Sequence, residues 1–319
     1  MEFNYNDRVL KPGYTSCMGC GEALAMRLVL QACGKNVIFT NATGCSEIFT
    51  SRYPTSSWNA PWLHSLFENS AAIASGVYYA LKHKGLLGKV SVVATGGDGG
   101  TADIGLQCLS GAAERGDDFL YVCWDNEAYM NTGVQRSGLT PFNADTTTSP
   151  AGKVSFGNDR CKKDMPQIMA AHGIPYVGIG SCGYYRELGG LVKRAMAIRG
   201  PKYLQVHSVC PLGWKSDPAK TIDMAKLAFE TCLYPLYEII NGVTKARRAP
   251  KDGWKPAEEY LKPQGRFRHL FRAAEGASQI IRIQAVAAAN MRKFWPEVAV
   301  PQFALDAEAK VAEMDKVTA

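Results

Sequence analysis

The sequence predicts an α/β protein built on a doubly wound, mostly parallel sheet, followed by a C-terminal helical extension. Three observations carry this. Short runs that are apolar almost throughout, Val90–Thr95 and Phe119–Trp124 among them, read as strands buried on both faces. They alternate with stretches of about a dozen residues patterned for helices, the spacing of crossovers between parallel strands. No internal repeat at solenoid or propeller periods competes with that reading.

In chain order the strands fall at Val37–Asn41, Val90–Thr95, Phe119–Trp124, Tyr176–Ile179 and Tyr203–His207. The helices fall at Gly21–Ala32, Ser70–His83, Asp103–Glu114, Met165–His172, Arg186–Ile198 and Met224–Ile239. Helix 70–83 carries Ala71, Ala72, Ala74, Ser75 and Gly76, small residues suited to close packing. After residue 240 the texture changes: 246–271 is rich in Pro, Gly and basic residues, Arg272–Trp295 reads as one more helix, and Ala307–Ala319 as a loosely held end. The expected division is an α/β domain over 1–240 and an extension over 241–319 that packs on the domain or on partner subunits. Such sheets bind ligands at the carboxyl ends of their strands, so the loops that follow strands hold the chemistry.

Composition narrows the class. Hydrophobic residues are 46% and charged residues 20% of the 319, enough to bury a full core and too apolar for a disordered chain. The 31 Gly and 16 Pro follow no fixed period, which excludes collagen-like chains. No uninterrupted apolar run reaches the roughly 18 residues of a membrane span. The opening MEFNYNDRVLKPG has no basic stretch leading into an apolar one, so the expectation is a soluble, cytoplasmic protein. Net charge is +7, and residues 241–319 hold 14 Lys and Arg against 9 Asp and Glu. A basic tail of this size suits nucleic acid, an acidic protein partner or only solubility.

Ten cysteines in a cytoplasmic chain point to metal or catalytic thiols rather than disulfides. Cys17 and Cys20 form a C-x-x-C just before the first helix, with Gly19 and Gly21 relieving the fold-back. Cys45 and Cys210 each follow a strand directly, so all four are placeable at one sheet edge. Four thiolates there suit a structural zinc or a [4Fe–4S] cluster; a single knuckle and the Cys210-Pro211 pair favour the cluster. Cys33, Cys108, Cys123, Cys161, Cys182 and Cys232 read as small buried hydrophobes.

A second constellation follows strand 90–95: Gly96-Gly97-Asp98-Gly99-Gly100, opening a helix. Its free N–H groups and the helix dipole favour an anion, while Asp98 suits a hard cation bridging phosphate oxygens. The next strand ends in Asp125-Asn126-Glu127-Ala128-Tyr129-Met130-Asn131-Thr132-Gly133, so Asn126 reaches the same cation if the strands are neighbours.

G-D-G followed by an Asn loop is the thiamine diphosphate fingerprint. The ordered set C-M-G-C-G-E, A-T-G-C-S, G-G-D-G-G-T-A-D-I-G, D-N-E-A-Y-M-N-T-G and C-P-L-G-W strongly resembles the β subunit of the pyruvate:ferredoxin (2-oxoacid:ferredoxin) oxidoreductase family. The similarity runs from Tyr14 to Ile239 and resumes over Glu259–Leu270. The resemblance implies the diphosphate half of a thiamine diphosphate-binding fold. It implies a [4Fe–4S] cluster on Cys17, Cys20, Cys45 and Cys210, and Mg²⁺ on Asp98, Asn126 and the Ala128 carbonyl. Gly97, Gly99, Gly100, Tyr129, Asn131 and Thr132 would surround the diphosphate, and Glu22 would lie close to the cofactor, with Glu22 and Asn131 as catalytic candidates.

The family reaction is CoA-dependent oxidative decarboxylation of a 2-oxoacid. Pyruvate is the first choice, and branched-chain, indolyl and phenyl 2-oxoacids are the alternatives. The implied partners are an α subunit supplying the pyrimidine half, a γ subunit, a ferredoxin-like δ subunit or domain, and ferredoxin or another acceptor. Neither nucleic acid nor membrane is expected, and the Arg247–Arg248 and Arg266–Arg272 clusters are expected to dock a partner subunit. A four-Cys zinc protein binding nucleic acid and a thiol-redox protein using Cys17 and Cys20 are the competing classes. The first has no use for Asp98 and Asn126 at strand ends; the second, on a thioredoxin-like fold, would place its motif after a first strand, and none precedes Cys17. His64 is read as structural ahead of substrate contact, Trp58 and Trp62 as walling a pocket or packing, and Thr146–Ser149 with Pro150 as a loop near the substrate.

Overall fold

The structure, a computed structural model, describes residues 8–272 and 274–318. The first seven residues of the N-terminal reading and Ala319 lie outside them. Among the described residues the strands are β1 (Val37–Ala42), β2 (Trp62–Ser65), β3 (Ser91–Gly97), β4 (Leu120–Asp125), β5 (Tyr176–Ser181), β6 (Lys202–His207), β7 (Tyr237–Ile240) and β8 (Val243–Ala246). They form one sheet in the order β2-β1-β3-β4-β6-β5-β7-β8. The first six run parallel; β7 is antiparallel to β5, and β8 to β7.

The helices are α1 (Gly21–Cys33), α2 (Cys45–Thr50), α3 (Ser70–His83), α4 (Leu106–Glu114), α5 (Met165–Ala170), α6 (Tyr185–Ala197), α7 (Pro211–Trp214), α8 (Thr221–Glu230), α9 (Ala257–Leu261), α10 (Ala274–Phe294) and α11 (Gln302–Thr318). Every residue of β4, β5 and β6 is buried, so helices cover both faces there, as the solidly apolar runs require. α1 packs on α6, and α3 packs on α4, β1 and β3. Each Leu or Phe fully buried in this way contributes about 1.5–3 kcal/mol.

The topology places the site. The chain leaves β1 toward β2 at one edge and then returns to start β3 on the other side of β1. Loops after β1 and β3 therefore diverge, opening a crevice at the strands' carboxyl ends.

Four elements differ from the sequence expectation. β2 is a short edge strand, half exposed, with too little apolar character to be read as one. The helix expected over Met224–Ile239 stops at Glu230: Cys232 takes a left-handed φ of 57°, and Pro235 has no N–H to continue a helix. Instead β7 and β8 form a hairpin across Asn241-Gly242, both at positive φ, the pairing that a two-residue turn favours. Residue 240 thus lies inside a hairpin that stays in the sheet. The C-terminal end is helical: α11 lies antiparallel on α10, joined by Arg282–Asp315 and Arg292–Glu308.

The tail packs on its own chain, with Trp254, Tyr260, Phe267 and Trp295 buried. Arg247 stacks over Tyr184 and Phe229, and Arg266 is buried, so these two arginines serve internal contacts; Arg248, Arg268 and Arg272 are exposed. Among the described residues, no helix is long and apolar enough to cross a membrane.

Candidate functional site

Three cysteine-bearing segments converge beyond the sheet's carboxyl edge, and backbone hydrogen bonds hold them. Gly21 N donates to Val209 O (2.9 Å), tying the C-x-x-C turn to the loop of Cys210. A Cβ on Gly21 would stand 2.7 Å from that backbone, so only glycine permits the approach. Thr15 N donates to Phe49 O (3.0 Å), tying the same turn to α2, which begins at Cys45.

Cys20 and Cys210 are the N-caps that precede α1 and α7; their sulfurs accept from Ala23 N and Gly213 N, each at 3.4 Å. Burial pushes the Cys20 thiol up to about 12 and Cys210 to about 11, and Glu22 adds to both. Cys45 is raised by burial, then by Glu22, Cys210, Cys20 and Cys17, so the four sulfurs lie within electrostatic reach of one another. Cys17 is exposed and the other three are half-buried. Among the described residues no three His, Cys, Asp or Glu side chains gather closely enough to grip a single ion. Of the remaining cysteines, Cys123, Cys182 and Cys232 are buried and Cys33 and Cys108 partly so; Cys161, expected inside, is exposed.

Next to the thiols lies a pocket lined by Glu22, Thr43, Cys45, Gly97–Gly100, Asn126 and Ala128–Thr132. Its floor is the register of β3 on β4, which sets Gly97 beside Trp124 and so brings the Asp98 and Asn126 turns together. A turn that follows a strand ordinarily faces solvent, and Asp98 sits in one. It is instead 1% exposed, because residues 137–140 cover it and Ser137 donates to its Oδ2. Burial and the neighbouring Asp125 push its carboxyl well above the usual range. Asn126 gives its Nδ2 to Glu22 Oε2 (2.8 Å). The Oδ1 atoms of Asp98 and Asn126 are both buried without a hydrogen-bond partner. Buried oxygens are rarely left this way, and two at one pocket have the chemistry a hard cation would need.

Burial raises Glu22 to about 7, against the pull of the Asn126 and Ser46 hydrogen bonds. Gly99 is required by close approach: a Cβ there would meet the Tyr129 ring at 2.3 Å, and Tyr129 Oη donates to Gly99 O (3.1 Å). Gly100 begins a π-helical turn that runs to Ile104 before α4, a form often found at functional sites. Asn131 and Thr132 stand exposed at the pocket mouth.

Sequence reasoning missed what lies behind the pocket. Glu127, 3% exposed, is bonded by Lys162 Nζ (2.7 Å) and Arg266 Nη2 (2.5 Å). Burial works against its charge, yet the two cations hold its carboxyl down at about 2. Asp125 accepts from Lys162 (3.1 Å), Gln205 (2.8 Å) and Tyr234 (2.8 Å). Glu127 stood inside a recognised motif, but nothing local names a partner 139 residues away.

Residues 42–206 match the family model described as the thiamine pyrophosphate enzyme, C-terminal TPP binding domain. The chain is 54% identical over 283 residues to the pyruvate synthase subunit PorB of Methanosarcina barkeri, covering 88% of this chain and 95% of that one. It is 45% identical over 296 residues to the PorB of Pyrococcus horikoshii, covering 84% and 89%. The ketoisovalerate oxidoreductase subunit VorB of Pyrococcus abyssi is 46% identical over 263 residues, covering 81% and 85%. Among solved structures, the 2-oxoglutarate:ferredoxin oxidoreductase of Magnetococcus marinus aligns with a TM-score of 0.57 at 22% identity, over 70% of this chain and 80% of that one, a likeness of fold.

Proposed function

Because the chain belongs to the β-subunit family of the 2-oxoacid:ferredoxin oxidoreductases, we propose that it holds Mg²⁺–thiamine diphosphate and a [4Fe–4S] cluster side by side for CoA-dependent oxidative decarboxylation of a 2-oxoacid. The observation that carries the cofactor assignment is the pair of buried, unpartnered Oδ1 atoms on Asp98 and Asn126. One carboxylate, one amide and the Ala128 carbonyl are few ligands, which suits a Mg²⁺ that takes its remaining oxygens from water and phosphate.

When bound, thiamine diphosphate supplies an electron sink for a carbanion, and the cluster supplies a one-electron acceptor beside it. The chain's own residues bind and orient. The backbone of Gly97, Gly99 and Gly100, at the start of a helical turn, receives phosphate oxygens. Glu22 fixes the Asn126 amide through its Nδ2, so that Oδ1 is the atom left for the metal. Asn131 and Thr132 cover the diphosphate from the mouth, and Asn131 is proposed to contact the reacting end of the substrate. Tyr129 walls the pocket against Gly99.

The four thiols lie within electrostatic reach of one another, and among the described residues no three of them close on a single point. A tetrahedral zinc needs all four sulfurs about 2.3 Å from one centre; a cluster of several irons, with sulfides of its own, spaces its cysteines more widely. Glu22 and Cys45 line the pocket itself, so the two groups would be neighbours.

Met18, 81% exposed, and Leu212, 72% exposed, project beside the thiols, as does half-exposed Ile48. Apolar side chains at that edge support a covering partner, proposed as the α subunit that completes the pyrimidine half. The γ and δ subunits, ferredoxin and CoA enter with the family reading, as does a cytoplasmic location, where thiols stay reduced.

Pyruvate is the proposed substrate, since the Methanosarcina barkeri PorB at 54% identity is more similar than the Pyrococcus abyssi VorB at 46%; 2-oxoisovalerate is the second reading, on that VorB relative. The test is anaerobic co-purification of the complex, an iron and visible-absorbance assay, and CoA-dependent viologen reduction over a panel of 2-oxoacids. Fastest turnover with pyruvate is expected. Bound zinc without iron, or no 2-oxoacid-dependent reduction, overturns the reading.

A further inference from the structure

We propose that Arg266, in the C-terminal segment, is a positioning residue for the metal-binding turn 126–128, gripping it from both sides. The inference rests on the cofactor reading above. The turn has an unusual backbone: Glu127 adopts a left-handed φ of 72°, a conformation that a non-glycine residue keeps only when its surroundings impose it. What imposes it is on the page. Arg266 Nη2 bonds Glu127 Oε2 at 2.5 Å, and Lys162 Nζ bonds Oε1 at 2.7 Å. Thr140 Oγ1 donates to the Glu127 carbonyl (2.8 Å).

The second grip is indirect. The Arg266 guanidinium carbon lies over the Trp214 ring, 3.9 Å from its centroid, and the Trp214 indole N–H donates to Asn126 O (3.0 Å). Asn126 and Ala128, the two proposed ligands of this turn, flank the residue that Arg266 holds. A shift of Glu127 turns the peptide planes on either side, and with them the Asn126 side chain and the Ala128 carbonyl.

Arg266 is itself fixed. It is 3% exposed; its Nε donates to Gln264 Oε1 (2.8 Å), and its carbonyl accepts from Asp145 N (2.9 Å). Arginine is needed because one planar group must stack on an indole, reach a carboxylate with one edge and a carboxamide with another. A lysine keeps the charge and loses the plane. The extension beyond residue 240 thereby becomes part of the cofactor site's scaffold, though it lines none of the pocket.

The test uses the assembled complex and three variants: Arg266→Lys, the pair Glu127→Gln with Arg266→Met, and Asp98→Asn as the control for the cofactor reading. The readouts are the Mg²⁺ concentration at half-saturation of thiamine diphosphate binding, by calorimetry, and iron content. Arg266→Lys is expected to raise the Mg²⁺ midpoint about 10- to 100-fold, the usual cost of losing a partner behind a ligand, with iron unchanged. The paired variant removes both charges, so no buried carboxylate is stranded if Arg266→Lys fails to assemble; it should show the same rise. Wild-type Mg²⁺ midpoints in the assembled variants overturn the proposal. So does iron lost in parallel with thiamine affinity, which marks general unfolding of the edge. If Asp98→Asn also binds like wild type, it is the cofactor reading that has failed.

Discussion

The thiol site and the proposed metal pocket share Glu22 and Cys45 yet are built to opposite plans. The pocket's proposed ligands sit at the ends of buried strands: Asp98 is 1% and Asn126 5% exposed, and the β3–β4 register fixes their separation. The cysteines ride on a turn and the starts of three helices, held by single backbone bonds such as Gly21 N to Val209 O. One site is formed by the sheet before anything binds. The other is gathered: burial pushes up the thiol pKa values of Cys20, Cys45 and Cys210, so the proposed metal would take the place of a proton on each. The sheet makes the rigid half, and the loops make the half that binding completes.

The largest effect should come from the rigid site. Asp98→Asn keeps the shape of the side chain and removes its charge. Thiamine diphosphate affinity in the assembled complex should fall more than about 100-fold, beyond what losing a partner behind a ligand costs. Iron content should stay full. The same change should raise the melting temperature of the cofactor-free protein, because the carboxyl is held far above its usual range by burial and Asp125, a cost the amide does not carry. Calorimetry and thermal melts check both halves. Asn126→Ala should show the binding defect more mildly, an amide oxygen being a weaker ligand than a carboxylate. Tight binding by Asp98→Asn would leave the two sites undifferentiated.

The gathered site should break differently. In Cys210→Ser the hydroxyl can keep the bond from Gly213 N, so α7 stays capped while the iron ligand is gone. Iron should drop to near zero and thiamine affinity should hold within about twofold, as for sites without shared ligands. Cys45→Ser should lose iron and also weaken thiamine binding somewhat, since Cys45 lines the pocket. Full iron in Cys210→Ser removes that residue from the ligand set.

How much of this was legible follows the same division. β1 and β3 to β6 were readable because strands buried on both faces leave no polar alternation. From strand ends alone the meeting of Asp98 and Asn126 followed. The burial of Asp98 did not, because the cover comes from Ser137, 39 positions later. Pro235 and Asn241-Gly242 were visible signals that a helix over 224–239 could not stand, outweighed by its apolar spacing. The Arg266–Glu127 pair had no local signal at all: arginine in a basic, Pro-rich stretch looks like surface until a buried carboxylate is found beneath it.

The smallest expected effect probes the ground beneath both sites. His207 ends β6, fully buried, its ring 4.2 Å from that of Tyr234 and 5.6 Å from that of Trp214, the residue that braces Asn126. Glu127, Lys162 and Arg266 surround it, and its Nδ1 has no partner. Burial pushes its pKa from 6.5 down to about 3. The unfolded chain therefore takes up a proton below about pH 6.5 that the folded protein refuses until near pH 3. Stability from this residue is complete above 6.5 and is lost as pH falls, by about 1.4 kcal/mol per unit within that window. His207→Gln should remove this slope while leaving the carboxylates, and their own acid sensitivity, in place. Melting temperatures from pH 7.5 to 5.5 should fall less in the variant than in the parent, even if the variant starts lower for want of the ring stack. Equal slopes would mean that the folded protein admits the proton, and that the ground shared by the two sites is less rigid than the sheet that carries it.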